Sequence, residues 1–164
     1  MAGNTFIRSI LALSAFVIIG SHAAMAQQPA QRVSNQYCAV NTYIQPGISD
    51  VAMALPLPRT GGKPVILLNE QARSLPHFAY VLAHECCHHT LNHTQNMPQL
   101  HSRDELMELE READRCAASL LQERGEFQAI HAAIDTARRE GQWQRAEKIS
   151  QSLQSASRAA YGFE

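Results

Sequence analysis

The 164 residues, 45% apolar and 18% charged, suffice for one globular domain with a single core and argue against a second domain. Formal net charge is −1 and the 14 lysines and arginines form no run, so the basic footprint of a nucleic-acid binder is absent.

At the N-terminus, Arg8 precedes the apolar run "ILALSAFVIIG", and Ala24-Met25-Ala26 supplies the small residues of a cleavage site. The run is about a dozen residues, short of the ~20 that span a bilayer. Residues 1–26 therefore read as a secretory signal, cleaved after Ala26. The expectation is an exported protein, periplasmic or extracellular, with no stable membrane span after signal cleavage. In an oxidising compartment the even set Cys38, Cys86, Cys87 and Cys116 becomes a set of disulfide candidates. Side chains of adjacent helical residues diverge by about 100°, so Cys86 and Cys87 cannot easily bridge each other. One should tether the N-terminal segment and the other a later helix, with the pairing open.

Residues 27–36 are polar and expected to be a flexible mature N-terminus; residues 37–164 form a single domain. Between Tyr37 and Pro64, Pro46-Gly47, Pro56, Pro58 and Gly61-Gly62 break any helix and predict short strands joined by turns. "PVILLN", Pro64 to Asn69, is the best strand candidate. Ser74 followed by Pro76 predicts an N-cap and first turn, and Phe78, Val81, Leu82 and Cys86 continue a helix that frays over Asn92 to Pro98.

Ser102 and Glu105 fit a capping box, so a second helix should start there, with Leu106, Leu109, Ala113, Ala117, Leu120 and Leu121 at helical spacing and Gly125 at its end. A third helix is predicted over Glu126 to Glu140, with Phe127, Ile130 and Ile134 on one face, and a fourth from about Trp143 to Ala159. The fold class that follows is α+β, mostly α: a small N-terminal β element with an edge strand packed on a helical core.

The stretch "LAHECCHHTLNH" holds four of the eight histidines and contains the match His84-Glu85-Cys86-Cys87-His88 to HExxH. On a helix His84 and His88 are one turn apart and share a face, where two imidazoles can grip one Zn²⁺. Glu85 lies about 100° round, beside the ion, where it can take a proton from the attacking water and pass it to a leaving amine. Chance alone yields such a motif in roughly one sequence in forty of this composition, so a third ligand must decide.

His93 would fall on the opposite face of a continuing helix, nine residues after His84. Leu91 and Thr94 stand where a metzincin has glycine and histidine. The better candidate is Glu110, with Asp114 four residues on to hold a ligand histidine by its second nitrogen. Against this stands a solvated acidic face formed by Glu108, Glu110, Glu112 and Asp114. However, positions 110 and 114 border the apolar stripe. His89 and His93 read as surface or supporting residues. Cys86 points about 200° away from His84.

His84-Glu85-x-x-His88 followed by Glu110-x-x-Ala113-Asp114 resembles the gluzincin metallopeptidases, in particular the clan of the CAAX prenyl endopeptidases, the bacterial heat-shock membrane peptidase and the soluble minigluzincins. The resemblance spans Pro64 to about Leu121. It implies a zincin-like core, one zinc per chain held by His84, His88 and Glu110, catalysis by Glu85, support from Asp114, and a peptide or protein substrate. It further implies an edge strand above the cleft, for which "PVILLN" stands in place, and a Tyr, His or Arg beyond the glutamate helix that stabilises the oxyanion. His131 and Tyr161 are available for that role. The expected function is an exported zinc metalloendopeptidase. The rival expectations are a non-catalytic zinc-binding or chaperone-like protein on the same scaffold, and a structural metal site using Cys87 and Cys116.

Overall fold

The computed structural model describes residues 30–55, 57–96 and 102–161, with side chains over 30–55, 59–95 and 102–153. The signal segment and its cleavage point lie outside the described residues.

Four strands, β1 (Gln31–Val33), β2 (Asn41–Ile44), β3 (Ala52–Ala54) and β4 (Val65–Leu68), form one sheet in the order β1-β2-β4-β3. Strand β1 falls within the stretch expected to be flexible. Its pairing with β2, Gln31 opposite Ile44 to Val33 opposite Thr42, and the burial of Val33 order it. Strand β2 runs parallel to β4, and β3 antiparallel to it.

The "PVILLN" strand is thus interior, not the edge. The edge toward the helices is β3, Ala52-Met53-Ala54, whose small residues give little strand signal of their own and are held by the ladder to β4. The apolar β4, by contrast, reads like the doubly flanked strand it is.

Five helices follow: α1 (Phe78–Thr90), α2 (His93–Asn96), α3 (Arg103–Glu123), α4 (Phe127–Arg139) and α5 (Trp143–Tyr161). Helix α1 begins later than Ser74 predicts. Ala72–Ser74 close a 3₁₀ turn in which the Ser74 hydroxyl donates to the Gln71 carbonyl at 2.7 Å. Leu75 is then extended, as the ring of Pro76 requires of its predecessor. The capping box of α3 is present in both directions: Ser102 Oγ accepts from the Glu105 N–H at 3.2 Å, and the Glu105 carboxylate accepts from the Ser102 N–H at 2.9 Å. Gly125 and Gly141, at φ 72° and 75°, end α3 and α4 in the left-handed conformation that glycine adopts without strain.

Helix α1 lies between two cores. Toward the sheet, Leu82 and Cys86 pack with Val33, Ile66, Leu68 and Ala72. Toward the other helices, Tyr80, Ala83 and Cys87 pack with Ala113, Ala117, Leu121, Ile130, Ile134 and Ile149. The pairing left open by the sequence is Cys38–Cys86 on the sheet side and Cys87–Cys116 on the α3 side. Among the described residues no cysteine is free, which removes the thiolate-ligated structural metal site. Two disulfides fit an oxidising compartment outside the cytoplasm. No helix among the described residues is long and apolar enough to cross a membrane.

The bridges close loops of 48 and 29 residues. Chain-entropy arguments assign about 4 and 3.5 kcal/mol to loops of this size. Replacing Cys38 and Cys86, or Cys87 and Cys116, pairwise by alanine should lower the unfolding free energy in a urea titration by amounts of that order. Unchanged midpoints would show that the bridges do not form.

Candidate metal centre

Helices α1 and α3 cross so that one turn of each faces the other beneath β3. His84 Nε2 and His88 Nε2, one turn apart on α1, are 3.1 Å from each other. From α3, Glu110 places Oε2 3.2 Å from His84 Nε2 and Oε1 3.5 Å from His88 Nε2. One donor atom from each of the three residues lies within 4.8 Å of the others, a group that could hold a metal ion. Ligand bonds of ~2.0–2.1 Å around a tetrahedral ion put donor atoms about 3.3 Å apart, so the spacing fits one shared cation. The donor chemistry, two imidazoles and a carboxylate, suits zinc among other divalent metals.

Each histidine is held from behind. His84 Nδ1 is 2.9 Å from Asp114 Oδ1, at hydrogen-bond distance but off the preferred N–H direction. Asp114, 3% exposed, also accepts from the Tyr80 hydroxyl at 3.0 Å and receives the Arg145 guanidinium through two contacts of 2.8 Å. His88 Nδ1 is 3.1 Å from His93 Nδ1, and His93 Nε2 is 3.0 Å from Glu112 Oε2.

His93 is only 3% exposed, so of the two expected places, surface or support, it takes the supporting one, though not on the face that a continuing helix would give it. The helix does not continue to His93: α1 stops at Thr90, and Asn92 adopts φ 62°, reversing the chain so that α2 folds back beneath His88. Asn92 was the available sequence signal. His89 is a structural pin, its Nε2 3.0 Å from the Val65 carbonyl of β4 and its Nδ1 3.2 Å from Thr94 Oγ1.

The acidic residues of α3 divide by function. Glu108 pairs with Arg111 and Arg115 in solvent, as the solvated-face reading requires, whereas Glu110, Glu112 and Asp114 all turn toward the histidines. Arg145, on α5, is the residue the sequence did not reveal. Nothing in its local pattern marks it, because its partner is 31 positions away.

Electrostatics match this packing. Burial lowers the affinity of His84 for its second proton, but hydrogen bonds to Asp114 and Glu110 outweigh that and raise its pKa to about 9. Burial and the neighbouring charge of His84 push His88 down to about 4. Burial raises the Asp114 carboxyl, yet its bonds to His84 and Arg145 hold it well below the usual range. Glu85, 8% exposed, is raised to about 7 by burial, partly offset by the charge of His84, while the Ala54 backbone N–H bonds its carboxylate.

Glu85, His84, His88 and Glu110 line one cleft of about 960 Å³, bounded by Ala52, Met53 and Ala54 of β3 on one side and by Ala137 and Arg145 on the other. His131 is exposed on α4, away from these walls, and the side chain of Tyr161 lies outside the described residues.

The model of the Peptidase U49 family matches residues 74–152. That stretch contains every residue of the centre and its supports. The match supports a peptidase. No curated protein and no solved structure matches the chain.

Metal-free His84, with a pKa of about 9, carries a proton at pH 7 that a metal must displace. Calorimetric zinc titrations in buffers of differing ionisation enthalpy should count close to one proton released at pH 7 and far less at pH 9.5. Both raised groups bind protons more tightly folded than unfolded. Metal-free stability should therefore fall as pH rises from 6.5 to about 9, where His84 loses its proton; at lower pH the raised Glu85 and the lowered His88 act in opposite directions and offset each other. Buffer-independent heats and a stability profile flat between about pH 7 and 9 would contradict this electrostatic account.

Proposed function

We propose that the protein is an exported zinc metalloendopeptidase of the gluzincin kind, with one zinc per chain held by His84, His88 and Glu110. The observation that carries the reading is geometric: the buried carboxylate of Glu85, which burial raises to about 7 in the metal-free site, lines the same cleft as the three donor atoms of His84, His88 and Glu110. A group that titrates near the working pH serves equally as base and acid. The Peptidase U49 match over the same residues supports a reaction at peptide bonds.

Zinc in this site supplies a Lewis acid that polarises the scissile carbonyl and acidifies a water. The chain does the rest. Glu85 accepts the proton of the attacking water and later delivers it to the leaving amine. Asp114, clamped by Arg145 and Tyr80, fixes the ring of His84 so that Nε2 faces the cleft.

Edge strand β3 offers a template for an extended substrate. In its antiparallel pairing with β4, the Val51 carbonyl accepts from Asn69 N–H and the Leu55 N–H donates to Val65, so the backbone groups of Ala52 and Ala54 point to the open edge. A peptide laid there adds a strand across the cleft. Arg145 is the cation that lines this cleft from beyond the glutamate helix, and we assign it the oxyanion-stabilising role in preference to His131.

Glu85→Gln preserves shape and removes the proton acceptor. It should retain zinc by metal analysis while peptide hydrolysis falls at least 100-fold. Glu110→Ala should instead lose zinc content. Zinc uptake by the unaltered protein without turnover of any peptide library would replace this reading with a non-catalytic zinc-binding or chaperone-like protein.

A further inference from the structure

We propose that His93 and Glu112 are positioning residues for the second histidine of the centre, forming a Glu112–His93–His88 relay that fixes which nitrogen of His88 is left open to metal. The inference rests on the zinc reading above and adds two residues to it.

The donor inventory carries the argument. A carboxylate only accepts, so the His93 Nε2 that lies 3.0 Å from Glu112 Oε2 must carry a proton. With Nε2 as the donor to Glu112, the His93 ring offers the lone pair of Nδ1 as an acceptor. That atom is 3.1 Å from His88 Nδ1, which must be the donor. With its proton on Nδ1, His88 presents a bare Nε2 toward His84 Nε2 and Glu110. The rings are nearly perpendicular, at 71°, so the contact is through ring edges, where the nitrogens lie, and not a stack.

Burial makes the relay consequential. His88 is 2% exposed and His93 3%, which leaves His88 no ready solvent substitute for its Nδ1–H partner. The two ligand histidines are therefore oriented by different means. His84 leans on a carboxylate directly, and His88 reaches one through an imidazole. Both carboxylates come from α3, so the helix that donates Glu110 also sets the tautomer of each histidine on α1. The left-handed Asn92 is the local device that turns His93 into reach.

The relay predicts graded effects on zinc affinity, read by competition with a chromophoric chelator. His93→Phe, which keeps bulk and removes the acceptor, should weaken zinc binding 10- to 100-fold, the usual consequence of losing such a partner. His93→Asn places an amide oxygen near the Nδ1 position and should restore part of the loss. Glu112→Gln lets an amide N–H face His93 and favour the wrong tautomer. It should weaken zinc several-fold in a side chain 42% exposed, where folding is not at stake.

Long-range nitrogen–proton NMR of the metal-free protein should find the His88 proton on Nδ1, and in metal-free His93→Phe it should move toward Nε2, a shift that a merely structural His93 would not cause. Wild-type protein that takes up no zinc would overturn the metal reading and the relay together. Wild-type uptake with undiminished affinity in both the Glu112→Gln and His93→Phe proteins, or a metal-free His88 proton on Nε2, would overturn the relay alone.

Discussion

The cleft depends on α1 being fixed from two sides at successive positions. Cys86 and Cys87 are neighbours in sequence, yet on a helix they point about 100° apart, and each is bonded to a different layer. Cys86 ties α1 to the N-terminal β element and Cys87 ties it to α3. Rotation of α1 about its axis would strain both bridges at once, so the direction in which His84, Glu85 and His88 point is set by the two residues between them. The same arrangement keeps sulfur away from the centre, since both thiols are consumed in bonds on faces turned elsewhere.

Charge balance is the second constraint. Glu85, Glu110 and Asp114 converge around the two imidazoles, with Arg145 as the guanidinium that answers Asp114. Without a metal, His84 holds a proton between Asp114 and Glu110 and its pKa rises to about 9. A divalent cation held by His84, His88 and Glu110 would take the place of that proton and would suit the surplus of carboxylates better than a single charge does. Glu85 stands apart from this exchange. Its carboxylate is bonded by the Ala54 backbone, so under the proposed reading the edge strand that would take a substrate also touches the group that would serve as acid and base.

Much of this was legible in the sequence because the signals are local. HExxH specifies a shared helical face wherever the helix forms, and the Ser102–Glu105 box and the glycines at 125 and 141 mark helix ends through backbone chemistry. Glu110 and Asp114 were readable as a pair by their four-residue spacing. What was missed depends on tertiary contact. Arg145 comes from α5, and the edge strand Ala52-Met53-Ala54 is a strand by pairing more than by propensity. His93 was misplaced because helical phase was carried past a residue, Asn92, that leaves the helix.

The central claim is that two imidazoles and one carboxylate, with no sulfur, hold a metal in a site left open to water. X-ray absorption at the zinc edge of the oxidised, zinc-loaded protein tests this directly. The account predicts a first shell of nitrogen and oxygen alone at ~2.0–2.1 Å, with outer-shell scattering from two imidazoles. A sulfur contribution near ~2.3 Å, or a shell with a single imidazole, would contradict it.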